Sequence, residues 1–160
     1  MKPTLLTILL SLATGIAVTS VTNCQTVLEI RPVVDSLEPG ALRMIDEQSR
    51  RQVFVGGNVL FSLSDVDSAT LYSGRENDGA PLYAVNIVFR HSLSDSMRSL
   101  TGHHIGSRLA IILDGKLLAS PRILDPIQSA RVSLSFATEA EAAAIARRIK
   151  GALKHSLKHD

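Results

Sequence analysis

Asp114-Gly115 lies between two apolar runs, Leu109-Ala110-Ile111-Ile112-Leu113 and Leu117-Leu118-Ala119. A common two-residue loop between strands has positive φ at both of its central positions, and Asp-Gly supplies it at little cost. A β-hairpin is therefore the reading of this stretch. Pro121 follows and is expected to stop the second strand, because it has no N–H to give to a ladder. Whatever else the chain forms must build around this hairpin.

The flanking segments supply the rest of a sheet and two helices. Tyr83, Val85, Ile87 and Phe89 fall on one face of a strand over 82–89. Ser92 or Ser94 is placed to cap a helix in which Leu93, Met97, Leu100 and His104 share a stripe, and Gly102 and Gly106 weaken its end. A strand over 131–136 turns Val132, Leu134 and Phe136 inward and Ser133 and Ser135 outward. Thr138 with Glu141 reads as a capping box. The helix it opens carries Ala142, Ile145, Ala146, Ile149 and Leu153 on one stripe, with early acids and late bases that suit its dipole.

The N-terminal half is less regular. Leu28-Glu29-Ile30-Arg31 alternates as a half-buried strand does, and Pro32 marks it as an edge. Residues 35–52 read as a connection with a helical turn around Ala41 to Glu47. Val53–Val55 and Val59–Leu63 flank Gly56-Gly57-Asn58 as a second hairpin-like pair. Ser64-Asp65-Val66-Asp67 resembles an N-cap opening a short turn, and Glu76 to Gly79 a loop. Strand, helix, hairpin, strand, helix is the order of an α+β fold. The expectation is a ferredoxin-like antiparallel sheet with two helices packed on one face.

The first residues read as a targeting segment. Lys2 precedes an uncharged apolar run of about 15 residues, shorter than the ~20 of a spanning helix, so residues 1–23 are an export signal. Cys24 is the single cysteine, so there is no internal disulfide. Two readings of it stand. Cys24 is the acylated first residue of a lipoprotein, or the signal is cleaved near Ser20 and Cys24 is a free thiol. Residues 24–52 are then an N-terminal strand and connection, 53–153 the main domain, and 154–160 a basic tail.

Composition excludes several classes of function. Basic and acidic residues number 17 and 15, Trp is absent, and no basic stripe interleaves with aromatics, which argues against nucleic-acid binding. His103-His104 is a polar helix end, since neighbouring helical side chains diverge by about 100° and no Cys partner stands nearby. Asp114 reads as a turn residue and not as a catalytic base. No Gly-x-Ser-x-Gly elbow or phosphate-binding loop is present, so catalytic and metal residues are expected to be none and no cofactor is called for.

Several segments taken in order resemble the SecD family of protein-export factors, in the head of the first periplasmic domain. Leu60-Phe61-Ser62-Leu63-Ser64-Asp65-Val66-Asp67-Ser68-Ala69 is similar to the family's strand leading into Asp-Val-x-x-Ala. Met97 to Thr101 matches an apolar residue followed by a Thr near the end of the first helix. Gly106 to Lys116 is the nearest likeness, followed by Ser120-Pro121-Arg122-Ile123, Pro126-Ile127 and Phe136-Ala137-Thr138-Glu139-Ala140-Glu141-Ala142. The chain departs from the pattern at Ser129-Ala130, where paired glycines are usual, and at His104, where Asn is common.

The resemblance implies an exported, non-enzymatic binding domain that contacts exported polypeptide in the periplasm or cell envelope; whether a lipid anchor holds it there depends on which of the two readings of Cys24 applies. The alternatives are an envelope adaptor docking on one folded secretion protein and a small-ligand module. No spanning segment follows the signal, so the proton-coupled movement of complete SecD proteins is not implied.

Overall fold

The computed structural model describes residues 27–156. The strands are β1 (Leu28–Val34), β2 (Leu42–Ile45), β3 (Gln52–Val55), β4 (Phe61–Ser62), β5 (Val66–Arg75), β6 (Pro81–Phe89), β7 (Leu109–Leu113), β8 (Lys116–Ala119) and β9 (Arg131–Phe136), and the helices are α1 (Ser94–His103) and α2 (Glu139–Ser156). The mixed composition and the antiparallel pairing are as the sequence implies. The pairing itself is not that of one sheet: the strands divide into a larger sheet in the order β2-β3-β1-β7-β8, with β4 also on β1, and a smaller one in the order β5-β6-β9. The expected ferredoxin-like sheet needs the 109–119 hairpin beside the strands that flank it in sequence. That hairpin pairs instead with β1, from Leu28–Leu113 to Pro32–Leu109.

β1 is therefore an interior strand and not the edge that Pro32 suggests. The missing N–H of Pro32 falls where one partner hands over to the next. β4 pairs with Glu29 and Ile30, β3 pairs with Val33 and Val34, and between them the Pro32 carbonyl accepts the Gly56 N–H at 2.8 Å. The same geometry corrects the reading of 53–63: β3 and β4 both add to β1 in succession and do not form a hairpin with one another. Residues 42–55 form the hairpin instead, through β2 and β3, where a helical turn was expected. β5, ten residues long, was not anticipated and supplies the outer strand of the smaller sheet.

One core joins the two sheets. Leu28 and Ile30 of β1 and Ile111 and Leu113 of β7 face Val85, Ile87 and Phe89 of β6 and Leu134 of β9. Phe61 and Phe89 meet across the join with ring centroids 5.6 Å apart. α2 lies across β5, β6 and β9 and buries Ala142, Ala146 and Ile149. A second cluster of Val53, Val55, Ala110, Ile112 and Leu117 forms where the β2–β3 hairpin curls back over β7 and β8. β7 is covered on both faces, which is why it reads as an unbroken apolar run.

α1 differs from its expected stripe. Ser94 is its first residue, and no side chain caps it. Met97 and Thr101 are buried, whereas Leu100 is half-buried and His104 exposed. The Thr101 hydroxyl donates to the Met97 carbonyl at 2.7 Å and accepts the Ile127 N–H at 2.9 Å. It thereby ties the 121–130 loop to the helix.

Candidate functional site

β8 ends the larger sheet and β9 ends the smaller one. Their free edges do not pair. They border a cleft in which Leu118 stands across from Ser135 and Phe136, Ala119 to Pro121 from Ser133 to Ser135, and Pro121 to Ile123 from Arg131 to Ser133. Numbers rise along one wall and fall along the other, so the two walls run antiparallel.

A single turn bridges the walls. Asp46, at the start of the β2–β3 turn, is buried and accepts the N–H groups of Gln48 and Ser49, each at 2.9 Å, together with the hydroxyl of Ser120 at the end of β8. The next residue, Glu47, donates its N–H to the Leu117 carbonyl of β8 at 3.1 Å. Gln48 reaches the other wall, where its side-chain amide donates to the Ser135 carbonyl of β9 at 2.6 Å. Burial alone would push the Asp46 carboxyl up, but the bonds from Ser120, Ser49 and Gln48 outweigh it and hold the group below the ordinary carboxylate range. The turn is thus locked by a charge that is itself fully bonded.

The two ends of the cleft differ in chemistry. At one end a cavity of about 240 Å³ opens into the join between the sheets, lined by Ile30, Ile111, Ile123, Ile127 and Val132. Its mouth carries Arg122 and Arg131 with Asp125, and Leu124 beside it is 73% exposed. Ile105, also exposed, lies next to this loop, because Gly106 bonds to Ile123. At the other end Glu47, Arg50 and Glu141 mix with Ile145 and Phe136. The cleft thus combines backbone groups along its walls, an apolar recess, and charge at the mouth.

The residues singled out in the sequence take these places. Asp114 and Gly115 adopt φ of 51° and 76° at the hairpin turn, away from the cleft. Asp114 does more than turn the chain: Oδ1 accepts the Val27 N–H at 2.9 Å, and Oδ2 pairs with the Arg148 guanidinium of α2. Pro121 lines the cleft. β8 ends at Ala119, two residues before Pro121, and a single isolated bridge between Arg108 and Arg122 follows. Thr138 Oγ1 accepts the Glu141 N–H at 3.2 Å, so one half of the capping box forms. Cys24 and the expected signal over residues 1–23 lie outside the described residues.

His103 Nδ1 donates to the Ser99 carbonyl at 2.7 Å, and among the described residues no three His, Cys, Asp or Glu side chains converge as metal ligands. Asp46 and Gln48 were missed by the sequence reading. The available signal was the Asp46-Glu47-Gln48-Ser49 run, a pattern in which a carboxylate can accept N–H groups two and three residues on.

The model of the SecDF P1 head subdomain matches residues 41–155. The chain belongs to this family.

SecD from Acidaminococcus fermentans, a protein translocase subunit, is 24% identical over 98 residues, 56% of this chain and 23% of the relative. The SecD translocase subunit of Treponema pallidum is 35% identical over 77 residues, 48% of this chain and 12% of its own length. The chain thus spans less than a quarter of either relative. A structure of SecDF, described as a membrane component that enhances protein export, superposes with a TM-score of 0.57 at 21% identity, over 78% of this chain and 62% of that one. SecDF in its super-membrane-facing form gives 0.58 at 22% identity, over 78% of this chain and 18% of that one. These superpositions place the fold among SecD heads. No helix among the described residues is long and apolar enough to cross a membrane.

Proposed function

We propose that this domain is a non-enzymatic element of protein export that contacts extended segments of exported polypeptide through the cleft between β8 and β9. One observation carries the reading. The cleft presents an apolar recess whose mouth exposes Leu124 and is flanked by Arg122 and Arg131. An unfolded chain offers what this surface takes, namely apolar side chains at intervals and unpaired backbone groups. SecD relatives are protein translocase subunits, and that role is carried to this chain here.

An exported location belongs to the same proposal, with residues 1–23 as the signal. Cys24 is then either acylated or left near a cleaved terminus, and intact-mass measurement of the envelope form separates the two.

The test is in-cell crosslinking with photoreactive residues at Arg122 and Ser133 in the cleft and at Arg98 on α1. A broad set of unrelated exported proteins captured from the cleft positions is the expected result. One or two discrete folded partners would overturn the reading and make the domain an envelope adaptor.

A further inference from the structure

We infer that the segment bound in the cleft adds as a strand to the outer edge of β9, and that the Gln48 side chain is the placeholder it displaces. The inference rests on the polypeptide-contact reading and specifies how the contact is made. The Ser135 carbonyl points away from β6, because it accepts the Gln48 amide. Backbone groups of residues two apart in a strand point the same way, so the N–H and carbonyl of Ser133 also face the cleft. The Gln48 amide stands where the N–H of an added strand would stand.

Much of the opposite wall is already bonded, the Pro121 and Ile123 carbonyls to the N–H groups of Leu109 and Gly106. The Leu117 carbonyl takes the Glu47 N–H, and the Ser120 carbonyl takes the Arg108 guanidinium at 2.7 Å. β9 is therefore the wall with bonding capacity to offer. A segment lying on it sends alternate side chains to opposite faces. One set enters the recess beside Ile111, Ile127 and Val132, and the other lies over Ser133 and Ser135. The occupant is an extended segment alternating apolar and small polar residues. Arg122 and Arg131 outnumber Asp125 at the recess mouth, so an acidic residue at that end completes the match.

The probe is a fluorescent peptide alternating valine and serine and ending in glutamate, titrated onto the purified protein by anisotropy. Gln48→Ala removes the placeholder from an exposed position, and Ser133→Pro deletes an N–H that the β6 ladder does not use. The expected result is binding by the wild type, tightened about two- to tenfold in Gln48→Ala and weakened by a similar factor in Ser133→Pro. Circular dichroism and thermal melting confirm that both variants are folded, and Ser133→Ala supplies a second β9 variant that should bind as the wild type does. Binding that is equal in wild type, Gln48→Ala and Ser133→Pro overturns strand addition and leaves the polypeptide-contact reading standing. No binding by wild type or Gln48→Ala overturns both.

Discussion

The smaller sheet has two edges, and they are kept from unwanted pairing in different ways. β5 is blunted by its own chain: the register slips by a bulge between Val66 and Ser68, charged Asp67 and Arg75 stand near its ends, and most of its side chains from Thr70 onward are exposed. Such features protect an edge permanently. β9 has neither a bulge nor charged flanks at both ends, and a single glutamine from a distant turn covers it. A side chain that donates one hydrogen bond can leave; a bulge cannot. The contrast separates an edge that is closed from one that is held ready.

The largest expected effect compares a buried side chain of β9 with an exposed one of β5. Leu134 of β9 is 3% exposed, and Leu134→Ala should lower unfolding free energy by about 2–5 kcal/mol in urea titration. Leu71→Ala on β5, where the side chain is 37% exposed, should cost no more than about 1 kcal/mol. Equal losses would erase the distinction between the packed side of β9 and the exposed outer half of β5.

The next effect concerns the turn that covers β9. Asp46→Ala leaves two N–H groups and the Ser120 hydroxyl without their acceptor and should cost about 1–3 kcal/mol. The sign of its pH dependence follows from the lowered carboxyl. The contribution is fully present above the ordinary value of 3.8 and is lost as pH falls through the lower value in the fold. Unfolding titrations across the acidic range should therefore show a loss of stability in the wild type that is smaller in Asp46→Asn. Parallel curves would show that the Asp46 charge does not hold the turn. The smallest effect is Thr70→Lys on β5, which should change stability by less than about 0.5 kcal/mol and leave peptide affinity unaltered.

What the sequence revealed and what it hid follow from the range of the interactions. The 109–119 hairpin, β6, β9 and α2 are set by local signals: an Asp-Gly turn, period-two alternation, and an apolar stripe at helical spacing. β1 was visible as a strand, but its interior place depends on partners about 80 residues away in sequence, where Leu28 meets Leu113. The β2–β3 hairpin was hidden because Leu42 and Ile45 are exposed and Asp46 and Gln48 look like ordinary loop residues. Their roles arise from contacts with Ser120 and Ser135, 74 and 87 positions on. Pro32 misled for a related reason: a missing N–H marks an edge only if a donor is needed there, and here it falls between two partner strands. The cleft itself belongs to no segment, since it exists only where the ends of two sheets meet.

Amide hydrogen exchange of the protein alone and with the valine–serine peptide bound would test the central claim most directly. Strand addition should bring added protection at the Ser133 and Ser135 amides of β9, with the amides of β5 unchanged. Protection that appears along β5, or binding that leaves both β9 amides exchanging at their free rates, would contradict it.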